Sequence, residues 1–299
     1  MIRGPIMQRI DSSVRTNWSE VGDVPAAVVE SGEVIEVTSA SFTEGYTAAN
    51  MHELVIEQAV APLTGPILVR GARPGQVVRV DILDLRFIRD FGCILLLPGR
   101  GAFPDVTDKL VAKAVGIDDA EVRFSDSIRV PTRKMLGKVS VAPAGERVHS
   151  SLPGAHGGNM DNRDIGVGSS VYLPVFVDEA HLGIGDAHAV QGDGECGISA
   201  VEVEMVSVIR VTLIPDLELD APVVRGGGNV MTMGAAETLD LAAAQSLDAM
   251  KRLLIASNGL SDQDAAMLMS IACDVHVSQL VNPLVGVKAR MPERFVPLP

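Results

Sequence analysis

In "AVEVEMVSVIRVTLIP", residues 200–215, Val201, Val203 and Met205 fall on one side of an extended chain and Glu202 and Glu204 on the other. That period of two is the mark of a half-buried strand. The alternation then slips, with Ile209, Val211 and Leu213 set against Arg210 and Thr212, which reads as a bulge or bend inside one long strand. The same character recurs upstream in "EVIEVTSASF" (33–42), "QVVRVDILDLRF" (76–87), "KVSVAP" (138–143) and "SVYLPVFV" (170–177). Turn sequences separate these runs: "GARPGQ" (71–76), "LPGRGAFPD" (97–105), "GIDDAE" (116–121) and "APAGE" (142–146). Downstream the period changes. "GAAETLDLAAAQSLDAMKRLLIASNG" (234–259) has helical spacing and stops at Asn258-Gly259, a suitable C-cap. "SDQDAAMLMSIAC" (261–273) opens with Ser261 and Asp264 in an acidic variant of the capping box, and "VHVSQLV" (275–281) returns to strand. The expectation is a mainly β body of sandwich or barrel type over residues 1–225, and an α+β segment packed on it over 226–299. The "RGGGN" loop (225–229) marks the boundary.

The bulk numbers narrow the function. With 25 basic and 38 acidic residues the chain carries a net charge of −13, which argues against nucleic acid or an anionic membrane as partner. Only 3% of residues are aromatic, so stacking platforms for bases are not expected. The longest apolar runs, such as "CILLLPG" (93–99), are too short to span a bilayer. Cys93, Cys196 and Cys273 lie far apart with no CxxC pair, and "MIRGPIMQRIDSS" at the N-terminus has no apolar core of a leader. Both features fit a cytoplasmic protein.

Two clusters carry the chemistry: "HGGNMDNRDIG" (156–166) and "GDAHAVQGDGE" (185–195). Paired glycines let the backbone turn tightly and approach a ligand. After Phe176, "VDEAHLGI" (177–184) has room for a turn and a returning strand, so a hairpin would bring the second cluster beside the first. Histidine with carboxylates is a ligand set for a borderline cation such as Zn²⁺, and a further carboxylate can carry protons. The spacing matches no compact zinc motif. Gly-Asp-Gly and Gly-Gly-Asn are also ordinary turn sequences whose polar side chains cap turns.

The continuous run "PGAHGGNMDNRDIGVGSSVYLPVFVDEAHLGIGDAHAVQGDGE" (153–195) resembles the signature region of the acetamidase/formamidase family. "LTGPILVRGARPGQVVRVDILDL" (63–85) and "VSQLVNPLVGVKARMP" (277–292) resemble two further stretches of it. The resemblance implies hydrolysis of short aliphatic amides to a carboxylate and ammonia, a mainly β fold with an α+β C-terminal part, a divalent metal, and a homodimer or higher homo-oligomer. The metal expected is Zn²⁺ first and Ca²⁺ second. The sequence departs from the family where Cys196 follows Glu195 directly, where "FIRDFGCILLLPGRGAF" (87–103) replaces a glycine- and tryptophan-rich stretch, and in its shorter length.

On this reading His156, Asp161 and His188 hold the metal with Asp186 as further ligand. Glu195 moves the proton, with Asp193 as a second catalytic carboxylate. Asn159 and Gln191 bind the small amide substrate, and His52 in "NMHELV" (50–55) is a further contact or simply a loop histidine. Cys196 beside Glu195 resembles the Glu/Cys pair of nitrilase-type amidases. Those also need a lysine, and none lies between Lys138 and Lys251, so Cys196 reads as a packed thiol. Two rivals stand beside this: a hydrolase of the same fold acting on a larger or different C–N bond, and a non-catalytic β-rich binding or scaffold protein.

Overall fold

The computed structural model describes residues 7–22, 24–55, 57 and 59–299. The leader reading falls partly on residues 1–6, which lie outside the described residues. The protein is mainly β, with two helices near its C-terminus. Among the described residues, one sheet has nine strands in the order Gln8–Ile10, Glu33–Thr38, Met205–Ile214, Val77–Phe87, Ser170–Pro174, Val223–Gly226, Asn229–Ala236, Val285–Pro292, Asp274–Gln279. The second sheet is built around Leu182–His188. It has Met135–Ser140 on one side and Glu202–Val203 on the other, and Leu63–Val69 also pairs with it. The two sheets share one core: Val80, Ile82 and Val171 from the first sheet with Leu136, Val139 and Ile184 from the second. Each such fully buried side chain contributes about 1.5–3 kcal/mol.

The run 200–215 is two strands rather than one. Glu202–Val203 belongs to the second sheet and Met205–Ile214 to the first, so the chain changes sheets at Glu204. The expected irregularity is also present, as a register shift against Val77–Phe87 between Val208 and Ile209. "SVYLPVFV" forms the wholly buried strand Ser170–Pro174 in the first sheet, whereas the returning strand Leu182–His188 lies in the second. The two clusters therefore do not meet through a hairpin. They meet across Met135–Ser140.

Helix α1 (Leu239–Asn258) starts where Thr238 accepts a hydrogen bond from the Leu241 amide and ends at left-handed Gly259. Its small residues Ala242, Ser246 and Ala249 are buried. The approach to strand Asn229–Ala236 is so close that a Cβ on Gly234 would stand 2.1 Å from the Ala242 carbonyl oxygen. Helix α2 (Asp262–Ala272) is capped by Ser261, as the sequence suggested. Strands Asn229–Ala236, Asp274–Gln279 and Val285–Pro292 continue the nine-stranded sheet past residue 225, and "RGGGN" is the tight turn of the hairpin Val223–Gly226/Asn229–Ala236. Among the described residues no helix is long and apolar enough to cross a membrane.

Candidate active site

Strand Met135–Ser140 is the spine of the site. One edge pairs with Leu182–His188 and the other with Gly157–Asn159, so the two clusters hang from its two sides. Part of the second cluster is strand rather than loop, since Gly185–His188 closes the strand Leu182–His188. Glu202 lies directly opposite His188 on the next strand. Side chains of such cross-strand partners share a face. His188 Nε2 accordingly sits 3.3 Å from Glu202 Oε2 and 3.6 Å from Asp186 Oδ1. Asp161 follows the strand Gly157–Asn159, and Glu195 sits in the turn beyond His188.

Asp161, Asp186 and Glu195 have φ of 41°, 58° and 47°, the left-handed region that non-glycine residues avoid. Such strain costs on the order of 1–3 kcal/mol per residue and persists only where the surroundings impose it. Here it falls on three buried acids of one cluster.

One potential ligand atom from each of Asp161, Asp186 and His188 lies within 4.8 Å of the others, and the same holds for His188, Glu195 and Glu202. All five residues are buried. Asp161 Oδ1, His188 Nε2 and Glu195 Oε2 have no hydrogen-bond partner. A buried polar atom left so costs about 1–3 kcal/mol. Among the described residues four carboxylates face one ammonium, that of Lys138, whose Nζ donates to the Ala61 carbonyl at 2.7 Å and lies 3.5 Å from Asp186 Oδ2. A divalent cation answers both the unpartnered atoms and the excess of negative charge, so the residues fit one.

The orientation of His188 is set from behind. Gln191 Nε2 donates to the backbone carbonyls of Asp161 at 2.6 Å and Ser278 at 3.3 Å. Both partners are acceptors, so the amide cannot be turned over. Gln191 Oε1 must then accept from His188 Nδ1, 3.0 Å away. In the neutral ring this leaves the Nε2 lone pair aimed at the acids, the form that binds a metal.

The electrostatics reflect the crowding. Burial and the Asp186 charge push Asp161 up to about 7. Burial and Asp161 hold Glu195 well above the ordinary carboxylate range. Burial would also raise Asp186, but the Lys138 ammonium and His188 outweigh it and hold Asp186 below its ordinary value. Burial disfavours the His188 cation, but Glu202 and Asp186 overcome that and raise it well above 6.5.

Gly137 makes room for the cluster. A Cβ there would stand 2.4 Å from Asp161 Oδ1 and 2.9 Å from Asp186 Oδ2. Gly137→Ala is therefore expected to push both carboxylates apart and lower metal content at least tenfold, read by elemental analysis of a folded sample. Full metal loading in that variant would place the ion elsewhere.

The four acids of the cluster, with Lys138, form the floor of a cavity of about 410 Å³. Asn159, whose Oδ1 is buried without a partner, also lines it. The other expected residues lie apart. His156 is buried against its own hairpin, with its ring over Gly154 and Gly158, and is in neither ligand group; burial takes its pKa down to about 4. Gln191 spends its amide on protein groups behind His188. Asp193 is bound to Lys288 at 2.9 Å. His52 is exposed on the short helical turn Met51–Glu53 and does not line the cavity. Cys196, expected to be packed, is exposed.

Sequence reading missed Glu202 and Lys138. Glu202 alternates with valines and looked solvent-facing, but its strand is sandwiched between Phe91–Leu96 and Leu182–His188. Lys138 entered the sequence analysis only as one end of a lysine-free stretch, yet it pairs with Gly185 across the sheet. A lysine inside the apolar run "KVSV" was the available signal.

Residues 129–294 match the sequence profile described as the Acetamidase/Formamidase family. A formamidase of Methylophilus methylotrophus is 28% identical; the match covers 69% of this chain, which spans 65% of that protein's length. The crystal structure of an acetamidase from Bacillus halodurans superposes with a TM-score of 0.91 at 33% identity, over 97% of this chain and 100% of that one. That of a recombinant predicted acetamidase/formamidase from the thermophile Thermoanaerobacter tengcongensis gives 0.92 at 32%, over 97% and 96%.

Proposed function

This chain belongs to the Acetamidase/Formamidase family, and we propose that it is a metal-dependent amidase that hydrolyses linear amides to a carboxylate and ammonia. The observation that carries the reading is the buried cluster of Asp161, Asp186, His188, Glu195 and Glu202, with three atoms lacking partners, whose four acids line a cavity. A set of turn residues, as in a scaffold protein, would not bury four carboxylates around one histidine.

Asp161, Asp186 and His188 would hold the cation. A nitrogen donor among carboxylates favours Zn²⁺ over the oxygen-seeking Ca²⁺. When bound, such an ion polarises a carbonyl and lowers the pKa of a water from 15.7 to about 7. Gln191 keeps His188 turned toward the ion, and Lys138 keeps Asp186 ionised. Asn159 Oδ1 accepts a hydrogen bond from the substrate amide nitrogen. Glu195 takes a proton from the attacking water at Oε2 as the water oxygen bonds to the acyl carbon. It then delivers that proton to the nitrogen, so that the C–N bond breaks with ammonia rather than an amide anion as leaving group.

Elemental analysis of the purified protein should find near-stoichiometric metal. Ammonia release from formamide and acetamide should vanish on chelation and return with added Zn²⁺. Metal-free protein whose amide turnover ignores chelators would overturn the mechanism.

A further inference from the structure

We infer that the preferred substrate is a linear amide whose acyl chain ends in a carboxylate, and that Arg100 at the mouth of the cavity binds that carboxylate. The inference rests on the amidase reading of the cavity floor.

The first observation is size. A water molecule occupies about 30 Å³ of liquid, and a two-carbon amide displaces on the order of three of them. Such an amide fills about a quarter of the 410 Å³ present. Much of the remaining wall is apolar, formed by Phe42, Val60, Leu95, Leu97, Pro98 and Ile198, beside the polar His149, Ser151, Ser199 and Asn282. That lining suits a short run of methylenes leading away from the acids.

The second observation is charge. Among the described residues, two cations line the cavity, Lys138 and Arg100. Lys138 is engaged with Ala61 and Asp186 on the floor. Arg100 is exposed, and its guanidinium has no hydrogen-bond or ion-pair partner among the described residues. Other arginines of the second sheet and its loops are paired, as Arg89 is with Glu204 and Arg133 with Asp164. A planar fork of free donors matches a carboxylate in two-point contact.

The third observation is that Arg100 is held at a fixed station relative to the floor. The Ala102 amide donates to the Cys196 carbonyl at 2.9 Å, and the Gly99 amide to the Pro104 carbonyl at 3.0 Å. Gly101, at φ 73°, lies so close that a Cβ would stand 2.9 Å from the Cys196 oxygen. The loop carrying Arg100 is thus docked by its backbone on the residue after Glu195. The four acids of the floor repel a carboxylate, so a substrate of this class enters amide first, with its charged end left at Arg100.

Succinamate is a suitable probe. Water adds its oxygen to the amide carbon, the C–N bond breaks, and the products are succinate and ammonium, the new carboxylic acid giving its proton to the departing ammonia. Butyramide has the same four carbons and no charge. Ammonia release should give a kcat/KM ratio of succinamate to butyramide of about ten or more in the wild type. The ratio should fall to about one in Arg100→Met and below one in Arg100→Glu. A wild type that prefers butyramide, or an unchanged ratio in Arg100→Met, overturns the inference while leaving the amidase reading standing. Calorimetric binding of succinamate to the metal-loaded protein separates the two claims. If neither amide is cleaved, the amidase reading fails. Binding that is then lost in Arg100→Met still supports the anion site, and equal binding in both proteins overturns it.

Discussion

Glu195→Gln is expected to lower kcat for small amides at least about a hundredfold, with a smaller effect on KM, while fold and metal are retained. The glutamine keeps the length of the side chain and one hydrogen-bonding oxygen but cannot carry a proton. Glu195 is buried, its Oε2 has no partner, and burial together with Asp161 holds its pKa well above the ordinary value. General acid–base catalysis by one positioned side chain is worth about 10²–10⁴-fold. Loss in kcat with KM nearly kept is the pattern of an interaction made in the transition state. The measurement is ammonia release beside thermal melting and metal analysis of one sample. Loss of metal would make Glu195 a ligand in the group it shares with His188 and Glu202. A folded, metal-loaded variant with near-normal turnover would move the proton to Glu202. Asp193, the carboxylate first paired with it in the sequence reading, is instead held by Lys288.

The parts of the fold that the sequence made legible are those governed by local chemistry. The caps at Ser261 and Gly259 and the two helices they bound follow from local hydrogen bonding and backbone freedom. The strands at 33–38 and 77–87 follow from alternation. What local chemistry does not contain is which strands become neighbours. Residues 170–174 and 182–188 are close in sequence and lie in different sheets, while 135–140 comes between the two Gly/His/Asp clusters. For that reason Lys138 and Glu202 escaped notice, and His156, adjacent in sequence to the paired glycines, falls in neither group of potential ligand atoms. Alternation of charge with valine signals a solvated face only when one face is solvated. In a strand with neighbours on both sides and a second layer above, the same alternation points carboxylates into the protein.

One departure from the family pattern gains meaning from the structure. The stretch 87–103 contributes Leu95, Leu97, Pro98 and Arg100 to the cavity wall, whereas three of the four acids that line the cavity, Asp161, Asp186 and Glu195, come from the run 153–195 that keeps the pattern. The proposed chemistry and the proposed selectivity thus fall on different parts of the chain, the floor on residues 138–202 and much of the upper wall on residues 95–100.

Lys288→Met is expected to lower unfolding stability by about 3 kcal/mol and to weaken metal binding at a distance. Lys288 is 1% exposed and lies in strand Val285–Pro292. Its Nζ donates to Asn162 Oδ1 at 2.9 Å, Asp164 Oδ2 at 2.7 Å and Asp193 Oδ1 at 2.9 Å, which uses all three ammonium protons. Asn162 is next to Asp161, and Asp193 is two residues before Glu195, so one ammonium ties both acid-bearing turns to the C-terminal strand. Methionine fills similar space but leaves the acceptors without their donor. Removing one partner of a buried pair costs about 3–5 kcal/mol. The Asp164 and Asp193 side chains are 25% and 35% exposed, so water recovers part of the loss and the lower figure applies. The sign with pH follows from Asp164. Burial raises its pKa, but the hydrogen bond and charge of Lys288 outweigh burial and hold it below 3.8. A depressed carboxylate adds stability above its unfolded pKa and loses it as pH falls through the folded value. Urea midpoints should therefore separate wild type from Lys288→Met at neutral pH and draw together as the solution is acidified below the carboxylate range. Competition with a chelator should show weaker metal binding in the folded variant. Equal midpoints at neutral pH together with unchanged metal affinity would mean that the two turns hold their acids without this strand.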